Sequence, residues 1–268
     1  MDLSKKKLFL LDMDGTIYLD ETLFPGVPEF LARIRERGGR YLFLTNNSSR
    51  GLDGYLAKMA RLGIPAGEED FLTSTDATVR VLKQEYPGRL VYVMGTESLK
   101  DQLRREGIAV TDRPDEAVSV LLAGFDRELT FRKLEDACIL LNRGADFLAT
   151  NPDWVCPVSF GYVPDCGSMC EMLWHATGRK PRVIGKPQPD MVFLAMERTG
   201  FAPEETLLIG DRLYTDIACG VNAGVDTAFV LSGEGTMEDI KTMGIEPATV
   251  WPDIQAILRE MKREEAKS

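Results

Sequence analysis

Short, wholly apolar runs alternate along this chain with stretches whose apolar residues recur at helical spacing. Leu8 to Leu11 is the first such run. It is followed by a Gly-containing turn and predicts a strand buried on both faces. Pro28 to Arg37 carries Phe30, Leu31 and Ile34 one helical turn apart and stops at Gly38-Gly39, which predicts a helix with a glycine stop. Tyr41 to Leu44 predicts a second buried strand, running into Thr45-Asn46-Asn47-Ser48-Ser49. Leu52 to Leu62 predicts a second helix, ended by Gly63. Strand, helix, strand, helix implies right-handed crossovers and a parallel sheet flanked by helices.

The last third repeats the pattern. Arg182 to Ile184, Thr206 to Ile209 and Thr227 to Val230 read as strands of the same sheet. Asp190 to Arg198, Asp216 to Asn222 and Asp253 to Arg263 read as helices, and the polar tail beyond them reads as frayed. The middle forms an α/β set of its own. Strands are expected at Arg89–Met94, Val118–Gly124 and Phe147–Thr150, and helices at Ser98–Glu106, Phe131–Arg143 and Ser168–Thr177. A loop rich in Pro, Gly and aromatic residues spans Asn151–Gly167. There is no fixed-period repeat. The expected fold is therefore α/β: a doubly wound, Rossmann-like parallel-sheet core, residues 1–74 and 182–268, interrupted by a second α/β domain, residues 75–181.

Composition narrows the chemistry. The 268 residues suit two domains better than one. With 32 basic and 42 acidic residues the formal net charge is −10. A duplex-DNA binder would need a basic face, so no nucleic-acid partner is expected. The one histidine, His175, excludes a multi-histidine metal site. Five cysteines form no disulfide framework and suggest a reduced environment. No apolar run approaches the roughly 18 residues of a membrane span. Lys5-Lys6-Lys7 precedes only Leu8 to Leu11 before Asp12 intervenes, too short for a signal peptide. A cytoplasmic protein with no membrane partner is expected.

Polar residues gather at the strand ends. Asp12-Met13-Asp14-Gly15-Thr16 delivers two carboxylates into the loop after the first strand, where open α/β sheets bind ligands. Such carboxylates repel unless a cation or shared proton relieves them, and Mg²⁺ would do so. A bare Asp-x-Asp-Gly is also a common solvated turn. Thr45 and neighbouring backbone N–H groups could hold a phosphoryl oxygen, although Ser48 or Ser49 could simply cap a helix. Lys186 follows the Arg182–Ile184 run and could neutralise phosphate or the crowded acids, or equally could snorkel to the surface. Asp211 ends the Leu207–Ile209 run, and Asp216 stands at the next helix start, where a plain cap is the simpler explanation. Taken together, this clustering exceeds what turn preferences alone would produce.

Asp-x-Asp-Gly-Thr, Thr-Asn, Gly-Lys-Pro and Gly-Asp-x-x-x-x-Asp, in that order, resemble the haloacid dehalogenase superfamily of phosphohydrolases. The long insertion, with Gly124-Phe125-Asp126 and Ala149-Thr150-Asn151-Pro152-Asp153, is similar to the NagD-like, para-nitrophenyl phosphatase branch, whose insertion is a cap. The resemblance implies Mg²⁺-dependent hydrolysis of small phosphate monoesters through an aspartyl-phosphate. It implies Asp12 as nucleophile and Asp14 as general acid and base. Gly15, Thr45, Asn46 and Lys186 would surround the phosphoryl group. The Asp12 and Asp211 carboxylates and the Asp14 backbone carbonyl would hold Mg²⁺, with Asp216 behind them.

The cap would close over the site and set specificity. Trp154, Phe160 and Tyr162 could stack on a substrate or pack within the cap. Where the branch usually has Pro-Gly-x-Gly, this chain has Pro164-Asp165-Cys166-Gly167. An added carboxylate at the entrance would favour neutral, hydroxylated leaving groups over polyanionic ones. Cys166, Cys170 and His175 offer at most a partial ligand set, short of the four a structural zinc needs. The expected substrates are sugar, polyol or aryl phosphates, ahead of nucleoside monophosphates and pyridoxal phosphate, with a small phosphorylated metabolite as partner and a homodimer through the cap. A phosphotransferase or mutase would differ only in its acceptor. A receiver-type signalling domain would lack both Asp14 and the insertion.

Overall fold

The computed structural model describes residues 1–49, 52–158 and 160–266. The chain divides into two compact units: Met1–Thr45, Gly54–Leu72 and Lys186–Ser268 form one, and Asn46–Asp53 and Thr73–Gly185 the other. No helix among the described residues is long and apolar enough to cross a membrane.

The first unit is built on a six-stranded sheet. Its strand order is Thr249–Trp251, Asp226–Val230, Thr206–Gly210, Leu8–Leu11, Arg40–Thr45, Phe71–Thr73. Leu8–Leu11 is central and wholly buried, because both of its faces are covered. It pairs in parallel with both neighbours, Leu11 opposite Ile209 on one side and Phe43 on the other. The chain fills one side of this strand, then crosses to the other and builds outward. Strand order thus reverses beside Leu8–Leu11, a topological switch point, and Asp12, Thr45 and Asp211 all lie at that carboxyl edge.

Helix Val27–Glu36 buries Val27, Phe30, Leu31 and Ile34 against the sheet, an apolar stripe at helical spacing. Phe30 meets Phe9 edge-on, with ring centroids 5.7 Å apart. Helix Ile254–Glu265 buries Ile254, Ile257, Leu258 and Met261, and Asp253 caps it by accepting from the Ala256 N–H at 2.8 Å.

The second unit has its own five-stranded sheet, ordered Arg182–Val183, Asp146–Ala149, Val118–Ala123, Leu90–Met94, Val110–Thr111, with every pair parallel. Its core includes Tyr92, Met94, Leu121, Phe125, Leu140, Phe147, Met169 and Leu173.

Two expectations need correction. The Arg182–Ile184 run does not join the sheet of Leu8–Leu11. Arg182 and Val183 pair with Leu148 and Ala149 of the second unit, where Val183 packs on that unit's core and Arg182 binds Glu85 at the surface. A run this short has no register preference of its own, so its neighbours decide which sheet it extends. The Asn151–Gly167 segment is not all loop. Val155–Val158 and Gly161–Pro164 form an antiparallel hairpin within it. Strands and helices that the pattern did not announce include Phe71–Thr73, Ser74–Glu85, Met237–Met243 and Thr249–Trp251.

Candidate active site at the carboxyl edge of the first sheet

Asp12 directly follows the central strand, and its N–H donates to Ile209 O at 2.9 Å. The ladder therefore continues one residue past the strand and holds the Asp12 backbone in place. Lys186 Nζ donates to Asp12 Oδ1 at 2.6 Å and to Asp216 Oδ1 at 2.7 Å. The lysine and Asp216 side chains are almost wholly buried, and Asp12 is slightly open, 17% exposed. Burial works against the lysine's charge, but the Asp12 and Asp216 carboxylates outweigh it and keep its pKa above the ordinary value. Burial, then the Asp216 charge, pushes Asp12 well above the usual carboxylate range, against the pull of Lys186.

Asp216 does not start a regular helix. It lies in a π-helical turn, Leu213–Ile217, that leads into helix Ala218–Ala223. This wide turn lets Asp216 Oδ2 accept the Arg212 N–H at 3.1 Å while Oδ1 faces Lys186. Both Asp216 oxygens are thus engaged by donors.

Asp211 is different. Its Oδ2 accepts the Glu234 N–H at 2.7 Å, whereas its buried Oδ1 has no hydrogen-bond partner among the described residues. A buried carboxylate oxygen without a donor is costly unless a cation faces it. Asp12, Asp211 and Asp216 place carboxylate oxygens within 4.8 Å of one another. The donor set is all oxygen, which suits a hard divalent ion. Burial and then the Asp216 charge raise the Asp211 pKa to about 6.

Two glycines allow this closeness. Gly15 has φ +86°, and a Cβ on it would stand 2.3 Å from Asp211 Oδ2. A Cβ on Gly233 would stand 2.0 Å from the same oxygen. Gly233 belongs to a latch absent from the sequence reading. Ser232 Oγ donates to Gly15 O at 2.7 Å, and Gly235 N–H donates to Asp211 O at 3.0 Å. The signal was legible, since Ser232-Gly233-Glu234-Gly235 follows strand Asp226–Val230 as the other site loops follow theirs.

Asp14 has an exposed side chain that pairs with Lys58. Thr45 ends its strand, with Oγ1 3.1 Å from the hydroxyl of Tyr55. Asn46 belongs to the second unit, where its Nδ2 donates to both oxygens of Asp153, at 3.4 and 3.2 Å. The first unit therefore brings together Asp12, Gly15, Lys186, Asp211 and Asp216.

Trp154 and Tyr162 are exposed in the second unit, as is Phe160. Asp165 is buried. It caps helix Cys166–Thr177 and accepts from Asn151 Nδ2 at 3.1 Å, so its carboxylate holds a helix start and does not present itself to solvent. Burial raises its pKa to about 6, against the pull of the Cys166 N–H and the Asn151 amide. Cys166 and Cys170 are buried with their sulfurs 4.0 Å apart, while His175 is exposed beside Glu171.

Comparison with known proteins identifies the family. The haloacid dehalogenase-like hydrolase family matches residues 9–109, and a second description, HAD-hydrolase-like, matches residues 183–257. An acid sugar phosphatase of Staphylococcus aureus is 32% identical over 257 residues, covering 96% of this chain and 98% of that one. The crystal structure of a 4-nitrophenylphosphatase from Thermotoga maritima superposes with a TM-score of 0.89 at 38% identity, covering 96% of this chain and 98% of the other. A glycerol phosphate phosphatase from Mycobacterium tuberculosis, crystallised with magnesium, superposes with a TM-score of 0.87 at 31% identity, covering 95% and 77%.

Proposed function

This chain belongs to the haloacid dehalogenase-like hydrolases, as a phosphatase of their NagD-like branch, and we propose that it hydrolyses small sugar, polyol or aryl phosphate monoesters through an aspartyl-phosphate on Asp12 with the help of Mg²⁺. The observation that carries this reading is the Asp12 carboxylate, held 2.6 Å from Lys186 at the switch point of the sheet, beside an Asp211 oxygen that has no hydrogen-bond partner among the described residues. The relatives support the substrate class. Among them are an acid sugar phosphatase, a 4-nitrophenylphosphatase and a glycerol phosphate phosphatase.

Asp12 attacks phosphorus as its ester bond breaks, giving the aspartyl-phosphate. Asp14 donates a proton to the departing alkoxide and then, as a carboxylate, takes one from the water that attacks the same phosphorus. The second attack breaks the bond to Asp12 and releases inorganic phosphate. Lys186 and Thr45 bind phosphoryl oxygens and stabilise charge that grows in the transition state. Asp216 keeps Lys186 aimed at Asp12. Mg²⁺ held by the Asp12 and Asp211 carboxylates would offset the repulsion between the nucleophile and an anionic phosphate. The Gly15 turn and the Ser232–Gly235 latch keep Asp211 beside Asp12.

A phosphate-release screen over phosphorylated metabolites, run with Mg²⁺ and with EDTA, tests the reading. Release from sugar, polyol and aryl phosphates with Mg²⁺, abolished by EDTA, is expected. Release that EDTA leaves intact, or none from any monoester, would overturn it.

A further inference from the structure

Helix Asp53–Arg61 reaches the site through residues its pattern marks only as helix. Tyr55, Lys58 and Arg61 recur every three residues and so share one face. The Tyr55 hydroxyl lies 3.1 Å from Thr45 Oγ1. Arg61 pairs with Glu21 at 3.2 Å, tying the helix to the hairpin of Tyr18–Leu19 and Thr22–Leu23. Between them, Lys58 Nζ lies 3.6 Å from the centroid of the Tyr18 ring and 3.5 Å from Asp14 Oδ1. The Tyr18 ring is itself buried.

The Lys58 side chain is 19% exposed, and the Asp14 carboxylate it meets is 60% exposed. An exposed aspartate on a loop samples several rotamers. An ammonium seated on a buried aromatic face is restrained, because the ring attracts the cation and its stem is packed. It can therefore restrain the carboxylate it pairs with. An ion pair of this kind fixes where that carboxylate stands, and the second half of the reaction needs it placed to take a proton from water.

We infer that Lys58 is a positioning residue for Asp14, fixing its carboxylate for hydrolysis of the aspartyl-phosphate; this rests on the function proposed above. In that step the water oxygen bonds to phosphorus, the bond from phosphorus to Asp12 Oδ breaks, and the water's proton passes to Asp14. The electron pair of the broken bond regenerates the Asp12 carboxylate. Attack on the ester does not depend on Lys58 when the leaving group needs no protonation, as with para-nitrophenolate.

The test is pre-steady-state and steady-state kinetics with para-nitrophenyl phosphate and Mg²⁺, on wild type, Lys58→Met, Lys58→Arg and Asp12→Asn. Lys58→Met is expected to lower kcat about a hundredfold. KM should fall in parallel, leaving kcat/KM within about twofold of wild type. A burst of about one para-nitrophenolate per active site should precede the slow phase, as phosphoenzyme accumulates. Lys58→Arg, which can also pair and stack, should recover most of kcat. Equal loss of kcat and kcat/KM without a burst would overturn the inference, as would an unchanged kcat. A wild type that turns over no monoester, or an Asp12→Asn variant as active as wild type, would instead overturn the parent reading and this inference with it.

Discussion

Lys186 and Asp216 form a buried ion pair, Nζ to Oδ1 at 2.7 Å, and the same ammonium reaches Asp12 Oδ1 at 2.6 Å. One lysine thus keeps a buried carboxylate and a slightly open one together. Removing it leaves them facing each other without a counter-charge, a loss that costs about 3–5 kcal/mol at comparable buried pairs. Lys186→Met should lower the unfolding midpoint in metal-free buffer and recover part of that loss when Mg²⁺ is added. Calorimetry with and without Mg²⁺ checks this, and an unchanged metal-free midpoint would contradict it.

Asp211 gives a pH prediction. Its pKa is raised to about 6, so below that value the neutral acid dominates and protons compete with the cation. Mg²⁺ affinity should weaken by about tenfold or more per unit as pH falls through and below 6. Titration calorimetry of MgCl₂ at pH 7.5, 6.5 and 5.5 measures it. Equal affinity at all three would show that Asp211 does not bind the ion.

The Ser232–Gly235 latch can be broken at a single atom. A methyl group at Gly233 would press on Asp211 Oδ2 from 2.0 Å, and the neighbouring backbone cannot yield without releasing the Glu234 N–H from that carboxylate. Gly233→Ala should weaken Mg²⁺ binding about 10–100-fold, as is usual when a ligand's support is removed. Gly54→Ala is the control, since nothing lies within 4 Å of the added Cβ. Matching metal affinities in the two variants would show that the latch does not matter.

Asp165 bears on stability through pH. Its pKa is about 6 in the fold and near 3.9 in an unfolded chain. A raised pKa favours the fold below the unfolded value, and that contribution is lost as pH rises through about 6. At pH 7.5 the buried charge costs on the order of 2–3 kcal/mol. Asp165→Asn keeps an acceptor for the Cys166 N–H and removes the charge. It should stabilise the protein more at pH 7.5 than at pH 5 in thermal melts. An equal gain at both would mean that the acid is not ionising at a buried site.

The core was legible where local pattern and burial agree. Leu8–Leu11, buried on both faces, reads as a central strand because no amphipathic alternative fits it. Asp12, Asp211 and Lys186 were legible because each sits just past an apolar run, whereas Asp216 stood at a helix start, where a plain cap would explain it. What the pattern hid depends on partners far along the chain. Arg182–Val183 is too short to choose its own sheet, and Tyr55 and Lys58 look like ordinary positions of an amphipathic helix. Asp165 reads as an exposed loop acid because its burial comes from packing and from Asn151, which no local pattern records. Asp216 was visible as a candidate by its chemistry, but its π-helical turn was not, since no local pattern records that one side chain meets both Lys186 and the Arg212 N–H.

The most direct measurement is acid quenching of the enzyme during turnover of para-nitrophenyl phosphate with Mg²⁺, followed by peptide mass spectrometry. One phosphoryl group should appear on the peptide that carries Asp12, at higher occupancy in Lys58→Met than in wild type and absent from Asp12→Asn, which should also show no turnover. Continued turnover by Asp12→Asn, or a phosphoryl group found on another residue, would contradict nucleophilic catalysis by Asp12.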